Sequence, residues 1–305
     1  MAKYYYQKVS GVNFLLSSSI KLNLKDFNPI LNFKKREFKF LAPNIFKYKK
    51  KFAMLYCNRG TKRSIFQGNL NLATSNNLTR WRKECKFFKQ PKKINYQSFT
   101  KSTIVQNSKH FFLIVECSNN LKSDIISYSS ENLKIWKKDK KLLSGNKKNK
   151  FQSPFIFKNK NYFLFFSKNG KQIEFIELNK RFKIKKRITC FKKELSFEKF
   201  SIYAPFVFKY KKYFIMLYSA WSSRLKGNIG FSYSTNLINW TKSEKCLFKI
   251  PSPYKIISEP FLCQKGKETY LFFEFKKKNI WTIGFKKLDL NFFGSLISLN
   301  HKNSK

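Results

Sequence analysis

Ser234-Thr235-Asn236-Leu237-Ile238-Asn239-Trp240 is the third copy of a string, Ser-x-Asn-Leu-x-x-Trp, whose recurrence decides how this chain is read. The first copy is Ser75-Asn76-Asn77-Leu78-Thr79-Arg80-Trp81, and the second is Ser130-Glu131-Asn132-Leu133-Lys134-Ile135-Trp136. The tryptophans lie 55 and 104 residues apart, one period and two periods of about 52. A fixed period of this size marks a repeat architecture. It places a degenerate copy near residue 188, where the chain reads Phe182-Lys183-Ile184-Lys185-Lys186-Arg187-Ile188.

Working outward, a second repeated unit precedes each of these turns. It is a small residue and Pro, an apolar run, a lysine-rich turn and a second apolar run. The copies start at Ala42-Pro43, Ser153-Pro154, Ala204-Pro205 and Glu259-Pro260, with a weaker one lacking Pro at Ser102-Thr103. Aromatic and β-branched runs of this length around short polar turns read as β-hairpins. A third strand follows in several units, as in Asn228 to Ser234, and the Ser-x-Asn-Leu turn leads to a fourth. Four strands per unit, repeated five times, is the arithmetic of a propeller. The expected fold is therefore all-β: a five-bladed β-propeller with four-stranded antiparallel blades over residues 41–298. The blades fall near 41–90, 100–144, 151–193, 202–250 and 257–298. Residues 1–40, with the strand-like Val12-Asn13-Phe14-Leu15-Leu16, or else the last residues of the chain, are expected to complete the outer edge of a terminal blade and close the ring, because an open ring leaves unpaired edges. Residues 299–305 are a tail. Each repeat Trp is expected to pack between adjacent blades.

Composition limits the function. The 305 residues include 36 Phe and are 42% hydrophobic, enough for a sizeable core. The formal charge is +48, which has two readings. One is a polyanionic partner. The other is drift toward A/T-rich codons, which inflates Lys, Asn, Ile, Phe and Tyr together. Only 8 of the 64 basic residues are Arg, and the lysines are spread over the whole chain. Phosphate and base recognition favours the Arg fork, so the second reading is preferred and no specific nucleic acid is expected. The charge still predicts weak, salt-sensitive adhesion to polyanions. No apolar run is long enough to span a membrane. Phe14-Leu15-Leu16 is too short for a signal peptide, and the six cysteines form no C-x-x-C pair, which together predict a cytoplasmic protein with inert thiols. His110 and His301 join no cluster, so neither a metal nor another cofactor is expected.

Two features resemble the five-bladed propeller glycosidases, the broad group of glycoside hydrolase families 43, 32, 62, 68 and 130. The Ser-x-Asn-Leu-x-x-Trp turn is similar to that group's Ser-x-Asp-Leu-x-x-Trp, and Tyr203-Ala204-Pro205-Phe206-Val207-Phe208 resembles its Ala-Pro strand. Asn28-Pro29-Ile30-Leu31 is similar too, and the segment from Glu259 to Glu274 resembles propeller domains found beside sugar transferases. The resemblance implies a carbohydrate or glycoconjugate partner, hydrolysed or bound in a central funnel. The alternatives are a catalytically inactive glycan-binding or protein-binding propeller, in a setting of sugar transfer or surface polysaccharide.

Hydrolysis of a glycosidic bond needs two carboxyl groups flanking it. The resemblance places them at or just before the innermost strand of a blade. Here those places read Leu41-Ala42, Lys101-Ser102, Gln152-Ser153, Tyr203-Ala204 and Ser258-Glu259, so Glu259 alone is acidic. Gln152-Ser153-Pro154 is similar to the group's Glu-Gly-Pro acid site with an amide in place of the acid. The expected catalytic pair is Glu259 with Glu198, which lies seven residues before Pro205. Glu37, six residues before Pro43, is a comparable carboxylate on the binding side. Further expected ligand contacts are Gln152, Trp221 for stacking on a ring, and Arg224, Arg59 and Arg63 for clamping a carboxylate or phosphate.

Overall fold

The computed structural model describes residues 6–9, 12–15, 19–32, 39–59, 68–84, 96–107, 110–278 and 280–303. A hairpin of β1 (Tyr6–Val9) and β2 (Val12–Leu15) and a short β3 (Ile20–Lys21) precede five repeated units. Unit 1 holds β4 (Lys39–Tyr48), β5 (Lys51–Arg59), β6 (Gly68–Ser75) and β7 (Arg82–Glu84). Unit 2 holds β8 (Ser98–Gln106), β9 (Phe111–Ser118), β10 (Ser123–Ser130) and β11 (Lys137–Leu143). Unit 3 holds β12 (Phe151–Lys158), β13 (Tyr162–Lys168), β14 (Gln172–Leu178) and β15 (Ile184–Lys192). Unit 4 holds β16 (Ser201–Tyr210), β17 (Tyr213–Ser223), β18 (Lys226–Ser234) and β19 (Thr241–Lys242), followed by β20 (Phe248–Lys249). Unit 5 holds β21 (Ile257–Lys265), β22 (Glu268–Lys277) and β23 (Ile280–Leu288).

Units 1 to 4 are antiparallel meanders of four strands. Units 5 and 1 merge into one seven-stranded sheet through a single parallel bridge, Trp281 to Lys39. The first strands of the units adjoin in the cyclic order β4, β8, β12, β16, β21 and back to β4. Both faces of each sheet are therefore covered, which is why the second strands read as unbroken apolar runs such as Phe-Ile-Met-Leu-Tyr at 214–218.

The Ser-x-Asn-Leu turn is one structure used three times. Ser75 Oγ accepts the N–H of Leu78 (2.9 Å), and Asn77 Oδ1 accepts the N–H groups of Thr79 and Arg80 (3.1 and 2.9 Å). Side chains here satisfy backbone donors that a ladder would otherwise hold. Leu78, Leu133 and Leu237 take positive φ of 68°, 61° and 66° and bury their side chains. Trp81 and Trp240 then donate Nε1–H to the carbonyls of Leu78 and Leu237. Trp81 meets Phe272 of unit 5 edge-on, and Trp240 meets Phe165 of unit 3, so each ring wedges between its own unit and the one before. Near residue 188, where the fourth copy is degenerate, the chain still forms the outer strand β15.

Two segments lie outside the meanders. In residues 19–31, β3 pairs in parallel with β20 after unit 4, and the chain then reaches unit 5: Phe27 meets Phe273 and Phe275 edge-on, and Ile30 N–H donates to Ile283 O (3.0 Å). The end of the chain departs from expectation. Residues 291–303 form a helix, α1 (Asn291–Asn303), not a blade strand to 298 followed by a loose tail. Its Phe293, Leu296 and Ile297 recur at helical spacing and are buried against the cluster that holds Phe231 and Phe273. No helix among the described residues is long and apolar enough to cross a membrane.

Candidate functional site

All five first strands carry the same local distortion at their inner end. In units 1, 3, 4 and 5 the ladder pairs Leu41 with Cys57, Gln152 with Ser167, Tyr203 with Ser219 and Ser258 with Glu274. It resumes three residues later, at Asn44, Phe155, Phe206 and Phe261. The extra residue makes a bulge, which bends the strand. The residue before the proline, Ala42, Ser153, Ala204 or Glu259, sits at φ between 52° and 57°. That region is costly for a side chain bearing Cβ and needs outside support.

The support comes from the second strand of the neighbouring unit. Ala42 N–H donates to Glu274 Oε2 (3.2 Å), Ser153 N–H to Glu116 Oε2 (2.8 Å) and Glu259 N–H to Ser219 Oγ (2.8 Å). Ser167 Oγ donates to the carbonyl of Ile202 (2.8 Å) at the same junction of units 3 and 4. Unit 2 has no proline, and its register corrects the sequence alignment. Phe99 pairs with Cys117 and the ladder resumes at Ser102, so Thr100 takes the place first given to Ser102, and Lys101 takes the place of the prolines.

These five ends surround a cavity of about 520 Å³. Glu259 and Lys101 meet in it as a buried ion pair, Nζ to Oε2 2.5 Å, with side chains 8% and 3% exposed. They come from β21 and β8, the two first strands that adjoin β4, whose Ala42 also lines the cavity. Glu116 and Glu274 also line the wall. Burial first, and the charge of Glu259 second, push the Glu274 carboxyl up to about 8 against the pull of Ser258 and Lys101. Burial likewise raises Glu116, opposed by the Ser153 N–H and by Arg59. An aromatic row completes the lining: Tyr203 stacks on Trp221, and Trp221 on Trp281, with centroids 6.1 Å apart in both pairs.

Glu274 sets a pH dependence of stability. Its folded pKa lies above that of an unfolded Glu, roughly 4.3. Between the two values the folded state holds a proton that the unfolded chain releases, so stability falls as pH rises from about 4.5 to 8 and then levels. Glu116 acts in the same direction. Urea midpoints are expected to be higher at pH 5 than at pH 8.5, with a smaller difference in Glu274→Gln. Parallel profiles for the two proteins would remove Glu274 from the account.

The other expected site residues divide clearly. Gln152, Trp221 and Arg59 line the cavity with Glu259. Trp221 does so from within β17, not from a loop, and Trp281 joins it. Glu198 does not line it. It is fully buried at the end of a 3-10 turn, Ser196–Glu198, where it accepts from Tyr218 OH (2.6 Å), from the N–H groups of Glu194 and Leu195, and from Lys242 (3.0 Å). The expected pairing of Glu198 with Glu259 is therefore not made. Arg224 lies in the exposed turn between β17 and β18, away from the lining. Glu37 and Arg63 fall outside the described residues. Burial pushes the thiols of Cys57, Cys246 and Cys263 up to about 11.

No family model matches the sequence, and no curated protein matches it. Solved structures match in shape. A thermostable family-43 glycoside hydrolase superposes with a TM-score of 0.69 at 16% identity, over 82% of this chain and 89% of that one. A GH43 endo-arabinanase from Bacillus licheniformis gives 0.63 at 15%, over 82% and 94%. An endo-arabinase from Bacteroides thetaiotaomicron gives 0.65 at 15%, over 86% and 96%. At these identities the likeness is one of fold: the chain has the β-propeller fold of family-43 glycoside hydrolases.

Proposed function

We propose that the five units are blades of one five-bladed β-propeller and that its central cavity binds a glycan without hydrolysing it. The cyclic order of the first strands supports the blade count. One observation carries the second part. Of the three carboxyl groups in the wall, Glu259 is bound to Lys101, while Glu116 and Glu274 each hold a backbone N–H of the next blade. A general acid must give its proton to a leaving oxygen and a base must face water. Carboxyls committed to the scaffold do neither. In this reading Glu259 and Gln152 accept and donate hydrogen bonds to sugar hydroxyls, and Trp221 and Trp281 offer flat apolar faces to the ring.

Hydrolysis has one observation in its favour: a carboxyl pushed by burial toward its protonated form, Glu274, shares the cavity wall with the Lys101–Glu259 pair. Calorimetric titration with arabino- and xylo-oligosaccharides, run beside assays on aryl glycosides, separates the readings. Binding without turnover is expected. Trp221→Ala should weaken binding about tenfold. So should Gly227→Ala, since a Cβ there would stand 2.9 Å from Trp221 Cε2 and 3.0 Å from Cδ2 and push the indole aside. Glycoside cleavage that disappears in Glu274→Gln would replace the binding reading with the hydrolytic one.

A further inference from the structure

The cavity wall carries cations as well as carboxyls. Lys101 and Glu259 cancel one another at 2.5 Å. Glu116 and Glu274 are driven by burial toward their neutral forms. Two further cations line the same cavity, Lys39 at the start of β4 and Arg59 at the end of β5. They are direct cross-strand partners, and Lys39 is also the bridge partner of Trp281 on β23. Like charges set directly opposite each other on a ladder are destabilising, and an anion that reaches both interacts favourably with each. Burial lowers the Lys39 pKa, and the charges of Arg59 and Lys276 lower it further.

Resting on the glycan reading above, we propose that the cavity is selective for an acidic sugar. The carboxylate of a uronic acid unit lies between Lys39 and Arg59, and its ring packs along Trp281 and Trp221. The chemistry suits the residues. A guanidinium fork matches a planar carboxylate in two parallel hydrogen bonds, and a lysine adds a point charge. A volume of about 520 Å³ lies within the range of sites that enclose a small ligand. The aromatic row begins at the residue bridged to Lys39, so charge and stacking surface are adjacent.

The test compares trigalacturonic acid, its methyl ester and neutral arabinotriose and xylotriose by calorimetry at physiological salt. The acid is expected to bind at least about tenfold more tightly than the ester or the neutral sugars. Lys39→Gln and Arg59→Gln should each remove about tenfold of that preference. Lys39→Gln relieves a like-charge contact and is expected to fold, and circular dichroism checks the fold of both variants. Lys134→Gln, an exposed residue in the second Ser-x-Asn-Leu turn, controls for the diffuse +48 charge and should change nothing. Equal losses from Lys134→Gln and Lys39→Gln would overturn the inference, leaving adhesion to polyanions. Neutral sugars bound as tightly as the acid, with Lys39 and Arg59 indifferent, would overturn it while the glycan reading stands. If no sugar of either kind binds, the glycan reading falls, and the inference with it.

Discussion

A Lys101→Met variant is expected to lose about 3–5 kcal/mol of stability, the cost of stranding one charge of a buried pair. The ammonium is 3% exposed and the Glu259 carboxylate 8%, so water cannot take the place of the missing partner. Glu259→Gln should cost a similar amount for the mirror-image reason. The double variant Lys101→Met/Glu259→Gln should recover most of the loss, because neither charge of the pair is then left without its partner. Urea unfolding of the four proteins closes the cycle, and the coupling energy is the quantity of interest. If the two single losses simply add, the groups do not act as a pair and the charge balance of the cavity must be redrawn. The same proteins inform the binding account: the double variant keeps the scaffold but replaces the carboxylate at Glu259 by a neutral amide, a weaker acceptor, so glycan binding should remain weak after stability returns.

Glu198→Ala is expected to be as damaging to the fold, at about 3–5 kcal/mol, and harmless to the cavity. Its carboxylate takes four donors: the Tyr218 hydroxyl, two backbone N–H groups of the turn before β16, and Lys242. Lys242 would keep Glu194, which is 67% exposed and gives weak compensation. The Tyr218 hydroxyl and the turn would be left with buried unmet donors. A loss of this size is a large part of the net stability of an ordinary domain. Ligand affinity measured on the folded fraction should match that of the parent protein. An affinity loss without a stability loss would return Glu198 to the binding site.

The fold was legible because its punctuation is chemical. Proline stands where a bulge needs no ladder donor, and Ser and Asn recur where a turn needs side-chain acceptors. The Trp wedges follow from the same turn. Helix α1 was missed because Phe293, Leu296 and Ile297 follow a run of strands and were read as one more. The site was only partly legible. Glu259 stood out as the single acid before a proline. Lys101 did not, since one lysine among so many reads as solvated surface, and only the ladder register puts it in the proline's place. Glu116 and Glu274 carried a readable signal, an acid inside an apolar strand, Phe-Leu-Ile-Val-Glu and Leu-Phe-Phe-Glu, which demands a partner. Glu198 was misplaced because nearness along the chain to a first strand says nothing about which way a capping carboxylate turns.

The clamps between blades grip the backbone N–H of the residue before proline and leave its side chain untouched. At Ala42 and Ser153 the scaffold therefore asks for a positive φ and an N–H and makes no further demand of the side chain, whereas at Glu259 the carboxylate also holds Lys101. These places behave as interchangeable sockets in a fixed mounting. The sockets at Ala42 and Ser153 can be reloaded by a single substitution, while emptying the one at Glu259 requires Lys101 to change with it.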